Sequence, residues 1–316
     1  MPIEEDCESG ENRSVNATEI SNDTVEVCEP ITLQDEDGVV QQLNIINLLN
    51  VIGFLVTVLN FILIMRFEFS SEFLSYDKIS KKYMTIITPK SSAKVILVVE
   101  FMLKLAFVAT QLIPDYRGTK LVQEGVGYWY MIISVLQFGW TWAFFKENMH
   151  LSIVLMFFIL ASSIIIVYAQ RNITSTSQGL HQIREFIMIR LPFQIYCGIA
   201  IAVMAIHISI CAVKESEPAS SLITLAVITF TIFHSVSMFC TLGLKTPLYT
   251  IPFVLAWVLF WIFQELKDPY ILIYIEFDLD TIRGLRNSAL TISVLCVLKV
   301  PIHFLSKVKL SEPQND

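Results

Sequence analysis

Charge is scarce in this 316-residue chain: only 16% of its residues are Asp, Glu, Lys or Arg, while 54% are hydrophobic. A soluble domain carries about a quarter of its residues charged, so this composition excludes an ordinary water-soluble fold. The motifs of common enzymes are missing too. No phosphate-binding glycine loop, no nucleophile beside a base and no acid pair in a catalytic setting is found, so an enzyme is not expected. The basic residues form no run or helical stripe, which removes nucleic acid from the expected partners. No pair of histidines has ligand spacing along one helix, and Cys197, Cys211, Cys240 and Cys296 stand singly in apolar stretches as packing residues. Neither a metal nor another cofactor is therefore expected. The first 40 residues also lack the basic start and short apolar core of a secretory signal peptide, so the first apolar segment must itself direct insertion and remain.

What is present is apolar length. Eight stretches approach the ~20 residues that a helix needs to cross a bilayer. They fall at about 43–65, 95–113, 127–145, 151–170, 186–213, 221–244, 247–266 and 288–305. Pro114 stops the second, and Pro192 breaks the fifth near its start. The stretch 270–286 alternates apolar and charged residues, among them Glu276, Asp278, Asp280, Arg283 and Arg286, and reads as interfacial. The expected fold class is all-α, a polytopic membrane helical bundle of about eight transmembrane helices. Its first partner is the lipid bilayer.

Charge places the two ends. Residues 1–40 hold twelve of the 29 acidic groups against the single basic Arg13, a net −11 in a chain of −7. This polar, aromatic-poor segment reads as an acidic disordered tail over 1–42. The loop after the first stretch carries Arg66, Lys78, Lys81, Lys82, Lys90 and Lys94, and the excess of Lys and Arg on cytoplasmic loops puts it inside. The N-terminus is then non-cytoplasmic. With eight crossings the polar C-terminal tail, 306–316, lies on that side as well. Asn12, Asn16, Asn22 and Asn172 each begin an Asn-x-Ser/Thr glycosylation acceptor, and all four fall on the outer side of this topology. Cys7 and Cys28 share the tail, either as a disulfide in an oxidising lumen or as two unpaired thiols. The implied location is a eukaryotic endomembrane or the plasma membrane.

Ionisable residues inside a crossing are costly and mark functional candidates. Glu100 and Lys104 lie four apart on one helical face, with Glu on the N-terminal side, the better order for an ion pair. They read either as a polar lining for a ligand or ion path or as a self-neutralising pair. His207, His234, Lys299 and His303 are further interior polar groups. Aromatic residues gather around Trp140 and around Trp257, which sit deep enough to line an apolar pocket between helices.

Three blocks, in order and at suitable separations, resemble the TspO/translocator protein family, the tryptophan-rich sensory proteins, and in particular its longer eukaryotic relatives. ISKKYMTIITP, residues 79–89, is similar to that family's Ile-Ser-Asp-Lys-Tyr-x-Thr-x-Ile-Thr-Pro block, with Ser80, Lys82, Tyr83, Thr85, Ile87, Thr88 and Pro89 matching. QFGWTWAFFKE, residues 137–147, is similar to the aromatic motif of the third helix at Trp140 and Glu147. RLPFQIYCG, residues 190–198, is similar to the entry to the fifth helix at Leu191, Pro192, Phe193, Tyr196 and Gly198. Trp257 with Leu259 resembles a pattern of the longer members. The chain departs from the family at Ser92, Lys94 and Leu97, where aromatics are the family's choice, and at Ile199, Phe144, Gln137 and His207.

The resemblance implies a five-helix unit over 43–213 followed by three additional helices over 214–305. It also implies a non-enzymatic membrane protein that binds or helps move a small hydrophobic or amphipathic ligand, tetrapyrrole- or sterol-like. Trp140, Tyr196 and His207 are the expected ligand-binding residues, with Glu100 and Lys104 as a polar contact. A homodimer is one assembly open to such a protein. The alternatives are a proton-coupled secondary transporter working through Glu100 or His207, and a glycosylated membrane receptor or scaffold.

Overall fold

A computed structural model describes residues 43–66, 76–174 and 179–311. Asn12, Asn16, Asn22, Cys7 and Cys28 lie outside the described residues, as does the side chain of His303. Eight helices of 16 residues or more dominate: α1 (Ile45–Arg66), α2 (Val95–Thr110), α3 (Trp129–Phe145), α4 (Met149–Asn172), α5 (Leu191–Lys214), α6 (Ala219–Met238), α7 (Thr250–Glu265) and α8 (Leu279–Ser311). Each overlaps one apolar stretch of the sequence, though α8 begins nine residues before its stretch. Among the described residues, four helical segments are long and apolar enough to cross a membrane: Ile45–Ile64, Met149–Asn172, Leu180–Lys214 and Ala219–Gly243. Their outer faces expose Leu55, Phe157, Phe158, Val227 and Ile228. Such faces suit lipid, and the protein is an all-α integral membrane bundle.

Local chemistry sets the helix ends. Asn148 caps α4, its side chain accepting from Leu151 N at 3.3 Å. Asp278 caps α8 by accepting from Thr281 N at 3.0 Å and Thr281 Oγ1 at 2.6 Å. This cap moves the start of α8 forward to Leu279, so the charged half of the expected interfacial stretch is helix, preceded by the short helix Ile271–Glu276. Pro192 does not break the fifth segment as expected. A π turn, Phe186–Arg190, joins Leu180–Glu185 to α5, and Pro192 occupies the first turn after it, where a missing N–H costs least. Gln170 Nε2 donates to Ile189 O at 3.0 Å, and Arg190 donates to Gln170 O and Ile173 O, so the turn's surroundings are hydrogen-bonded.

Helices meet through small residues and buried amides, the means available where lipid removes the hydrophobic drive to pack. Gly53 lets α1 approach α3 at Met131. Asn50 Nδ2 donates to Gln111 Oε1 at 2.9 Å, and Gln111 Nε2 donates to Asn47 O at 3.3 Å, pinning α1 to the end of α2. Phe107, Tyr130 and Phe193 meet edge to face with centroids 5.0–5.7 Å apart and close the bundle between α2, α3 and α5. On the other side of α5, Gly198 faces Val254 so closely that a Cβ there would lie 2.8 Å from Val254 Cβ. Helix α7 therefore packs directly on α5, and α6 and α8 complete a second apolar core around it.

Candidate functional site

Between α1, α2, α3, α4 and α5 lies a cavity of about 440 Å³. Its walls are mostly apolar, from Phe61, Val98, Phe101, Met156, Ile159 and Ile199 among others. The polar groups among them are few: Thr57, Asn60, Glu100, Gln137, Trp140 and Tyr196 within the bundle, and Ser91 and Lys94 at one end. Lys94 and Leu97 occupy positions where the resembling family carries aromatics, and both border this space.

Glu100 and Lys104 are 6% and 1% exposed and form an ion pair one helical turn apart. Beyond each other, neither Glu100 Oε1 nor Lys104 Nζ has a hydrogen-bond partner among the described residues. The ammonium instead sits 3.9 Å from the centroid of the Tyr196 ring, whose negative face supplies part of the missing solvation. Glu100 lines the cavity and Lys104 lies behind it, so the pair presents its carboxylate side.

Trp140 and Tyr196 stand on the cavity wall, whereas His207 does not reach it. Trp140 Nε1 donates to His207 Nε2 at 3.1 Å, and His207 Nδ1 is 3.1 Å from Val203 O. An indole N–H only donates, so Nε2 must accept and the proton sits on Nδ1, directed at the carbonyl. The imidazole is therefore neutral and both its nitrogens are engaged. It holds the indole in place from behind, with Phe144 packed against both rings. Tyr196 OH donates to Gln137 Oε1 at 3.5 Å. Thr57 Oγ1 has Gly53 O at 3.0 Å and Ser134 Oγ at 3.2 Å to donate to.

Asn60 differs. It is 1% exposed, lines the cavity, and its Oδ1 has no hydrogen-bond partner among the described residues. Neither Asn60 nor Thr57 is among the residues expected from the sequence. An amide well inside a 22-residue apolar helix is costly in lipid, less so than a charge, and that cost marks the position in the sequence.

The other candidates fall elsewhere. Lys299 on α8 reaches His234 on α6, Nζ to Nδ1 at 3.4 Å, far along the chain from the cavity-lining helices. Asn172 is exposed at the last residue of α4. At one end of the bundle, Lys82 Nζ donates to both oxygens of Glu147, at 2.8 and 2.9 Å, and Tyr83 OH donates to Oε2 at 2.9 Å. Burial pushes the Glu147 carboxyl up, but the hydrogen bonds from Lys82 and Tyr83 and the charges of Lys82 and Lys214 outweigh it and hold it below its ordinary value. The same contacts raise Lys82. Three residues from two separate sequence blocks thus form one cluster.

A family model described as TSPO-like protein matches residues 47–279, from the first turn of α1 to the start of α8. No curated protein and no solved structure matches the chain.

Proposed function

From the premise that the chain belongs to the TSPO-like protein family, we propose that it is a non-enzymatic membrane protein that binds, or helps move, a small amphipathic ligand in the α1–α5 cavity. The observation that carries this reading is the cavity itself: about 440 Å³, largely apolar, with a few convergent polar groups, as small-molecule sites are. The donors on its inner wall support a choice between the ligand classes the family resemblance implies. Thr57, Tyr196 and Trp140 already have protein acceptors, while Asn60 and Glu100, both on the wall, each carry a buried oxygen with no hydrogen-bond partner among the described residues. A rigid apolar body bearing a hydroxyl, of the sterol kind, meets those acceptors. A tetrapyrrole's carboxylates meet those oxygens with the wrong sign, and the one cation on the wall, Lys94, stands at the end of the cavity.

The test is binding to the purified full chain in nanodiscs of a sterol alcohol, its matched ketone and a porphyrin. Saturable binding of the alcohol, weakened by Trp140→Ala and made indifferent to hydroxyl versus ketone by Asn60→Leu, is expected. Absence of saturable binding across the panel overturns the reading.

One observation favours a second reading, proton-coupled transport. Glu100 is an ionisable group buried in a membrane helix and facing a cavity, the setting in which such groups carry protons. Proton flux in liposomes that stops in Glu100→Gln but persists when Trp140→Ala has removed ligand binding would favour it.

A further inference from the structure

Two turns meet at the end of the bundle that holds Glu147. The first links α3 to α4 and the second links α5 to α6. The first turn has Glu147 at φ 54° and the second has Ser216 at φ 58°, both in the left-handed region. Lys214 Nζ donates to Glu147 O at 2.6 Å, and the Lys82 ion pair fixes Glu147 from the other side. The two turns are thus tied to each other by contacts that leave the neighbouring side chains His150, Cys211 and Glu215 to meet on their own.

They do meet. His150 Nε2 is 3.3 Å from Glu215 Oε1, and His150 Nδ1 is 3.9 Å from Cys211 Sγ. One ligand atom from each of the three lies within 4.8 Å of the other two. Cys211 and Glu215 are one helical turn apart at the end of α5, and His150 is in the first turn of α4, so the set spans two helices.

We propose that His150, Cys211 and Glu215 form a binding site for a divalent ion of the zinc type. The donor set is an imidazole, a thiol and a carboxylate, the three kinds that zinc takes together, and a tetrahedral ion with about 2.0–2.2 Å bonds to nitrogen and oxygen separates those atoms by about 3.3–3.5 Å. The imidazole and carboxylate already stand at that separation. The sulfur stands at the other ring nitrogen, Nδ1, so an ion held by Nε2 and the carboxylate gains the thiolate by rotation of the exposed His150 and half-buried Cys211 side chains, across no more than 4.8 Å. An open cleft of about 570 Å³, walled in part by Cys211 and Glu215, adjoins the cluster and leaves a fourth position to water. Binding releases the thiol proton to solvent and needs no redox partner. The site lies outside the α1–α5 cavity and is independent of its ligand.

The experiment is a titration of the full chain in detergent with cobalt(II), then displacement by zinc(II), using Cys7→Ser/Cys28→Ser protein so that the tail thiols play no part. One equivalent of cobalt is expected to give a thiolate-to-metal charge-transfer band that zinc removes. The band should be lost in Cys211→Ser, and His150→Ala or Glu215→Gln should weaken binding by about tenfold or more. No band in the starting protein, or a band that survives Cys211→Ser, overturns the proposal and leaves His150 and Glu215 as a surface pair.

Discussion

Replacing Glu100 by Gln leaves the Lys104 ammonium in the bundle without its counter-charge, against the faces of Tyr196 and, farther off, Tyr130. Breaking one side of a buried pair costs about 3–5 kcal/mol, whereas removing both charges in Glu100→Gln/Lys104→Met is close to neutral. Unfolding midpoints in detergent of the two single variants and the double one check this, and a double variant no better than the singles would refute it. Glu147 sets a pH limit of a different kind. Its carboxyl is held below 4.5 in the folded protein, so the stability it contributes is complete above 4.5 and is lost as pH falls through the lowered value. Lys82 is raised above 10.5, so its share is complete below 10.5 and goes as pH rises through the raised value. Thermal midpoints should thus be level between these limits as far as this pair is concerned, and Glu147→Gln should make the acid decline shallower. An unchanged acid decline would show that other groups set it. The i,i+4 spacing of Glu100 and Lys104 was legible as a shared face. That His207 faces an indole rather than the cavity was not, because its partner lies 67 positions away on α3.

At the scale of elements, Gly198 sets how α5 and α7 approach. A Cβ there would fall 2.8 and 2.9 Å from Val254 Cβ and Cγ1, on a branched side chain with little room to turn. Gly198→Ala should cost about 1–3 kcal/mol by overpacking, and Val254→Ala in the same chain should recover part of it. A lowered unfolding midpoint that the second substitution does not raise would place the strain elsewhere. Apolar length is a property of composition, so all eight long helices were legible as stretches. The π turns at Leu121–Val126, Phe186–Arg190 and Phe239–Gly243 were not. Each adds one residue to a helical turn, a change decided by neighbouring helices such as α4 with its Gln170, rather than by local preference. The start of α8 was misplaced because the sequence Asp278 to Arg286 shows alternating charge, while the Asp278–Thr281 cap shows itself only as geometry.

Across the whole molecule, five helices contribute to one cavity, and its side along α2 is unlike the rest. Val95, Leu97 and Val98 border the cavity and are also exposed on the outer surface of that helix, where an aromatic at position 97 would have stood in the resembling family. Asn60 and Tyr196 lie on the inner walls. On the proposed reading, a molecule dissolved among lipid tails would meet the cavity from the side, apolar body against apolar rim, without passing through water. Occupancy of such a site would then follow the ligand's mole fraction in the bilayer, to which its buffer concentration is tied by partition. Adding protein-free vesicles of the same lipid to ligand-loaded nanodiscs should empty the site in proportion to the lipid added, at constant total ligand. Occupancy that ignores added lipid would show that the bound molecule does not exchange with the bilayer. The protein would on this geometry act as a gauge of membrane composition, reporting how rich its own surroundings are in the molecule it holds.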